Sequence, residues 1–474
     1  MAAKSHFRNE RDQRYGTAQK LCNCSMFDFV SIAPRCQLGR RRTRTSCDTM
    51  LKRSTLAGLA TVLLSSTSIL AADLSAPAPV PVAPPAEPCK ATLLGPAYGG
   101  VIKANPNPSC FSAGPLGDLY VGGAITGYGY TQSNPFASFS TPAAPNDRDR
   151  AARFDFSNVQ GIIQKPEGAF QFYIQAGGYS IPQLGFPTLS TFTQTDLLFG
   201  PVPVAYGKIQ INDEWSVQGG RMFTMIGTEL LFTYQNLNIN RGLLFVQENF
   251  INQGVQVNYS SGPLSVSVAG TDGFFSNEIS WFTGNVAYKL DDYNTIGVNG
   301  GLNLGRTNAL DRSPRYQFAT PNLQQNSGIF NINYTYANGP WIISPYFQFT
   351  NVERDLRVGI ANSASTYGGA LLAAYSFTDN FALAGRVEYT EQTGVRGSGG
   401  TNLLGFGAGS NAFSVTVTPT FTFDRYFFRV EYAHVELGGI TRGNLAEGTL
   451  GTGFGRTGNR TSQDRYMVET GITF

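Results

Sequence analysis

From Asp118 to the final Phe474 the chain alternates apolar and polar residues with a period of two, segment after segment. In Phe413 to Phe423 the odd-numbered positions are Phe413, Val415, Val417, Pro419, Phe421 and Phe423, and every position between them is Ser or Thr. Phe381, Leu383, Val387 and Tyr389 oppose Arg386, Glu388 and Thr390 in the same way. Phe428, Val430 and Tyr432 oppose Arg429 and Glu431, and Tyr466, Val468 and Ile472 oppose Glu469 and Thr473. Successive side chains of a strand point to opposite faces, so each segment is a ribbon with one greasy and one hydrogen-bonding side.

A soluble two-layer sandwich also alternates, and the connections separate the two cases. Sixteen candidate strands are read at 118–131, 153–164, 168–178, 202–212, 215–222, 251–261, 264–275, 279–290, 293–306, 327–338, 340–352, 364–377, 380–392, 408–424, 426–437 and 463–474. Connections of one to three residues, such as Gly262-Pro263, Asp291-Asp292 and Arg425, alternate with long polar or Gly-rich ones, 276–278 being the one short exception. That is the rhythm of an up-and-down barrel with tight turns on one rim, loops on the other and both ends on the turn side. The fold class is therefore all-β: a transmembrane antiparallel β-barrel of about 16 strands, with 14 or 18 as the margin of the count.

Lipid offers no partner for backbone N–H and C=O groups, so a spanning sheet must close on itself. A closed sheet of about 16 strands is too wide for its own side chains to fill, which predicts an aqueous bore lined by the polar faces. Composition agrees: charged residues are 14% of the 474, aromatics 12%, and Gly numbers 54. Nothing downstream of residue 72 approaches 18 unbroken apolar residues, so any span is made by strands.

The region before the barrel divides in three. Residues 1–49 hold 10 Lys/Arg against 4 Asp/Glu and read as a basic extension ahead of the true start. Residues 50–72, with Lys52 and Arg53, an apolar stretch from Leu56 to Leu70 and then Ala71-Ala72, have the order of a signal peptide. Residues 73–117 open on a Pro/Ala tract, a spacer expected on the periplasmic side, and carry Cys89 and Cys110, which read as a disulfide in an oxidising compartment. The exported part, 73–474, holds 23 Lys/Arg against 28 Asp/Glu, so a nucleic-acid partner is not expected.

The stretch Gly219 to Glu229 with Tyr234 to Gly242, and Gln253 to Tyr259 with Gly262-Pro263 and Thr271 to Ser276, resembles the β-barrel porin-2 family, most densely over 205–290. Cys89, Cys110 and Gly117 to Gly123 look like the leading segment of alphaproteobacterial porins. The terminal Phe474, after alternating apolar residues, is similar to the signal read by the outer-membrane assembly machinery. The resemblance implies an outer-membrane channel for ions and small polar solutes, with lipid and lipopolysaccharide around it and, by analogy, a homotrimer.

Residues 223–250 are long and apolar for an external loop. They hold Glu229, Arg241 and Glu248, with Arg221 just before them, and are expected to fold inward as a constriction whose acids face basic lumen residues such as Arg386 and Arg429, in a lumen that also carries Glu388 and Glu431, to set a transverse field; an extra strand pair or an external loop is the bland alternative.

No catalytic centre, metal or cofactor is expected. A hydrolase needs a base, and the exported chain has one histidine, His434, which shares the parity of Tyr432 and suits a lipid interface. Gly453-Phe-Gly455-Arg-Thr-Gly458 matches a dinucleotide fingerprint as a string but lacks the strand and helix that give it meaning. Asp147 to Arg150 offers too few oxygens for calcium, and Cys22, Cys24, Cys36 and Cys47 match no zinc spacing. A barrel with a plugged lumen shares every one of these features, and conductance separates it from a porin.

Overall fold

The computed structural model describes residues 91–96, 100–103, 105, 108–136, 148–308, 319–396 and 400–474. The basic extension, the signal peptide, the Pro/Ala tract, the four upstream cysteines, Cys89 and Asp147 lie outside the described residues. Cys110 is disulfide-bonded.

Period-two segments become strands wherever their polar side can meet other polar sides. After the short β1 (Ser109–Ser112), they are β2 (Asp118–Gln132), β3 (Ala152–Lys165), β4 (Phe170–Tyr179), β5 (Val204–Gln210), β6 (Trp215–Phe223) and β7 (Ile251–Ser261). Then come β8 (Leu264–Thr271), β9 (Trp281–Lys289), β10 (Asn294–Asn303), β11 (Ser327–Asn338) and β12 (Trp341–Val352). The last five are β13 (Ala364–Thr378), β14 (Phe381–Gln392), β15 (Asn411–Phe423), β16 (Tyr426–Gly438) and β17 (Ser462–Thr473). Each strand from β2 onward pairs antiparallel with the next, and β17 returns to β2 with Thr473 opposite Ala124. The result is a closed barrel of 16 strands.

The seam is finished from both ends of the chain. Phe474 exchanges backbone hydrogen bonds of 2.8 and 3.0 Å with Gly123, and β1 pairs with Asp118 to Val121 on the same edge of β2 just beyond. No length of that edge needs a partner from outside, which removes the aggregation hazard of an open strand.

Parity sets the two faces. Along β16, Phe428, Val430 and Tyr432 are 46, 37 and 36% exposed while Arg429 and Glu431 are 0% exposed. The same split recurs around the ring, so the outer surface is a continuous apolar belt that water would not tolerate and lipid would. Exposed Trp215, Tyr288, Trp341 and Tyr426 mark its turn-side margin, and Tyr367, Tyr389 and Tyr466 mark the loop-side one, as interfacial aromatics do.

Several expected strands are shorter than the alternation suggested, and the one read at 264–275 shows why. The apolar run to Phe275 looks like more of β8, but the strand stops at Thr271 because Asp272 accepts hydrogen bonds from the backbone of Gln253 (2.6 Å) and Asn277 (2.9 Å). With Gly273, Phe275 and Asn277 at positive φ, the chain turns inward, and the connection expected at 276–278 is the full loop 272–280. All the connections on that rim are therefore long.

Candidate functional site

β6 and β7 are neighbours, so residues 224–250 are not needed to bridge distance and are free to leave the wall. They run inside the barrel at mid-height, along the inner faces of most of the ring. Asn158 of β3 donates to Thr233 (2.7 Å), and Thr233 donates to Glu469 of β17 (2.5 Å). Asn238 donates to Thr418 (2.7 Å), and the backbone N–H groups of Ile239 and Asn240 donate to Glu431 (2.5 and 3.0 Å). Leu243 N–H donates to Glu388 (3.0 Å), and Gln247 accepts from Thr350 (3.2 Å) and Thr366 (2.9 Å). An irregular buried segment must find partners for its own N–H groups, and here the wall carboxylates supply them.

The fit depends on missing side chains. A Cβ on Gly242 would lie 2.0 Å from a carboxylate oxygen of Glu388, and one on Gly368 would lie 2.2 Å from Leu244. Each glycine lets the segment approach the wall more closely than any other residue would permit.

The ionic groups interlock at this interface. Arg386 donates to Glu229 (2.7 Å), Glu388 (3.1 Å) and the carbonyl of Asn240 (2.8 Å). Arg429 pairs with Glu469 (2.5 Å) and donates to the carbonyls of Thr233 (2.7 Å) and Asn236 (3.1 Å). Arg465 donates to Asn240 (2.6 Å) and Gln183 (3.0 Å), while Arg241 turns back onto the carbonyls of its own segment, 4.0 Å from Glu229. Arg241, Arg386, Arg429 and Arg465 balance Glu229, Glu388, Glu431 and Glu469, and all eight are buried.

Of the expected constriction residues, the fold brings Glu229, Arg241, Arg386 and Glu388 together and sets Glu431 against the segment's backbone. Arg221 is elsewhere: it donates to the carbonyl of Val202 (2.8 Å) and covers the ring of Phe275 at 5.0 Å. Arg429 does not face an acid of the segment, because Glu469 on the adjoining strand takes it. A field across water needs separated, hydrated charges, whereas these are in contact and dry. Glu469 and Arg465 were not among the expected site residues. Their inward parity with Arg429 was the signal available, since directly opposite residues on adjoining strands pair.

Glu248 differs from the other acids. Both its oxygens are buried without a hydrogen-bond partner, and a Cβ on Gly227 would lie 1.9 Å from one of them. Burial, and then the fields of Glu229 and Glu388, push its carboxyl well above the ordinary range. An acid whose folded pKa is raised stabilises fully below its unfolded value, about 4.3, and loses that contribution as pH rises through the folded value. The segment should therefore sit most tightly at acid pH and loosen as the pH rises above the ordinary carboxylate range. In the Glu248→Gln variant this dependence of conductance on pH should disappear; a variant that keeps it would clear Glu248 of the role.

A second element reaches the segment from the turn side. Leu94 N–H donates to Gln164 (2.6 Å), and Gly95 lies against Tyr173. Gly100 abuts the backbone of Asn236, Ile102 is buried in the cluster holding Tyr173 and Tyr234, and the carbonyl of Lys103 accepts from Thr473. These partners are inward-facing or internal, so Leu94, Gly95, Gly100, Ile102 and Lys103 of the expected spacer 73–117 pack within the turn-side half of the barrel.

Two weaker candidates resolve into local structure. His434 faces outward, its Nδ1 2.8 Å from Asp464, which also accepts from the hydroxyl of Tyr432 (2.9 Å). In the loop holding Gly453 to Gly458, Gly453 N–H donates to the carbonyl of Gly458 (2.7 Å) and Phe454 bridges Arg460, a small hairpin with no helix behind it.

With this geometry in hand, the comparison with known proteins is short. The family model described as "Putative beta-barrel porin-2, OmpL-like" matches residues 118–474, the whole barrel. The chain belongs to this porin family. No curated protein matches it. Among solved structures, OmpT, an outer membrane protein of Vibrio cholerae, is similar at 10% identity, with 77% of this chain covering 100% of that one at a TM-score of 0.47. An anion-selective porin from Comamonas acidovorans is 12% identical, over 75% of this chain and 99% of that one, at 0.47. The outer membrane channel DcaP of Acinetobacter baumannii is 10% identical, over 75% and 97%, also at 0.47.

Proposed function

We propose that this porin-2 barrel is a passive channel for ions and small polar solutes across the bacterial outer membrane, narrowed at mid-height by residues 224–250. The observation that carries the reading is the closed ring of 16 strands with its apolar face outward and its hydrogen-bonding face inward. A ring of that size encloses more space than wall side chains fill, and here the remainder receives a folded segment. Outer-membrane lipid and lipopolysaccharide face the apolar belt, and Phe474 at the seam is the handle for the assembly machinery.

A second reading, a plugged structural barrel, is favoured by the buried contact of residues 224–250 with the wall and of Leu94, Gly100, Ile102 and Lys103 with the wall or the segment. Purified protein in planar bilayers separates the two. The porin reading expects discrete conductance steps that grow in a Gly242→Val variant, whose side chain displaces the segment from Glu388. Silence from both proteins, with heat-modifiable barrels present in the membrane, would leave the plugged reading standing.

A further inference from the structure

The wall of this barrel is divided by charge. Seven consecutive strands, β7 to β13, contain a single Asp, Glu, Lys or Arg, namely Lys289 at the turn-side end of β9. The inward charges are concentrated on β14 to β17, where residues 224–250 cover them and each guanidinium meets a carboxylate or carbonyl. What stays partly open to water inside is the turn-side half of the other side, since Thr271, Trp281, Thr283 and Asn331 toward the loops are buried. Gln218, Asn258, Ser267, Asn285 and Asn333 are inward-facing and half-exposed, and they form one continuous patch across β6 to β11. Registers place Asn258 opposite Ser267, Ser267 opposite Asn285 and Asn285 opposite Asn299.

Within the patch the groups are already partly paired to one another. Asn258 accepts from Ser267 (2.8 Å) and Gln256 (2.6 Å), and its own amide reaches Gln218 (3.4 Å). Such a surface has neutral donors and acceptors side by side, the complement of a molecule carrying several hydroxyls, and it has no fixed charge to concentrate or repel an ion. Lys208, half-buried on β5 beside Gln218, is the cation that borders it.

We propose that the water-accessible side of the lumen is a path for uncharged, multiply hydroxylated solutes of the size of small sugars and polyols, with little discrimination between small ions. This rests on the porin reading and adds the solute class to it. Masking the charges is the physical device: an ion pair in contact and out of water presents almost no net field to a solute several ångströms away, so hydrogen-bonding capacity is left to decide passage.

The test combines reversal potentials in a KCl gradient with swelling of proteoliposomes in isosmotic neutral sugars or in charged amino acids of similar size. Wild-type protein should give a reversal potential near zero and swell several times faster in sugars than in either anionic or cationic amino acids. In an Asn258→Asp, Asn285→Asp double variant, cation over anion permeability should rise severalfold, because these positions lie on the path. Strong ion selectivity in the wild type, equal swelling in charged solutes, or an aspartate variant with unchanged reversal potential would each overturn the proposal while leaving a conducting porin. Heat-modifiable mobility confirms that each variant is a folded barrel, and a folded wild type without conductance would remove the porin reading itself.

Discussion

Replacing Arg386 by methionine should cost the packed interior about 3–5 kcal/mol, the range for removing one partner of a buried ion pair. The side chain is similar in length, so the loss is electrical. Arg386 holds Glu229 of the internal segment at 2.7 Å and Glu388 of its own strand at 3.1 Å, and it also caps the carbonyl of Asn240 at 2.8 Å. Without it two buried carboxylates share one interface with only Arg241, 4.0 Å from Glu229, as a nearby cation, and Glu388 still has to accept the N–H of Leu243. The segment's readiest response is to move away from the wall toward water. Trp281 is a suitable reporter, because it is buried against Phe274 and donates to the carbonyl of Gln325 (2.6 Å), whereas Trp215 and Trp341 face outward.

Denaturant titration in lipid vesicles, followed by tryptophan emission, should show an early transition in Arg386→Met that is absent from the wild type. Adding Glu229→Gln to that variant should recover part of the loss, since one of the two stranded charges is gone. Coincident transitions in all three proteins would mean that the pair does not hold the segment. With Glu229→Gln alone as the fourth protein the comparison closes a double-mutant cycle, so the coupling is measured directly rather than inferred from a single truncation.

The barrel was legible in the sequence and its filling was not, and the reason is physical. The strand expected at 327–338 is β11, Ser327–Asn338, and that expected at 251–261 is β7, Ile251–Ser261, because a wall strand must alternate along its whole crossing. Segments that fold inward obey no such period. Residues 224–250 touch wall on one side and other internal residues on the other, so Leu231, Phe232, Leu243 and Leu244 occur without spacing that marks a face. Length and apolarity suggested that the stretch turns inward. Nothing in it showed that Arg429 belongs to Glu469, since a pair across adjoining strands is fixed by register and not by sequence distance. The leading segment 94–103 had still less to offer: a few apolar residues among glycines and prolines, whose destination is set only once the lumen exists to receive them.

That leading segment carries the other large expected effect. Gly100 is the contact point, because a Cβ there would lie 2.4 Å from the carbonyl oxygen of Asn236, 2.7 Å from its carbon and 3.2 Å from the nitrogen of Leu237. All three are backbone atoms, so no side chain can rotate aside. The carbonyl of Asn236 is also held by Arg429 at 3.1 Å, which leaves the leading segment as the part free to yield. Gly100→Val should therefore push the chain at residue 100 off Asn236, taking with it Ile102, whose burial in the cluster of Tyr173 and Tyr234 stabilises by about 1.5–3 kcal/mol. Conductance should rise severalfold, and a chain lacking residues 91–107 should match it. If the shortened chain conducts like the wild type, the segment does not stand in the path. If the shortened chain opens and Gly100→Val does not, the segment is held by Ile102 and Leu94 rather than by its contact with Asn236.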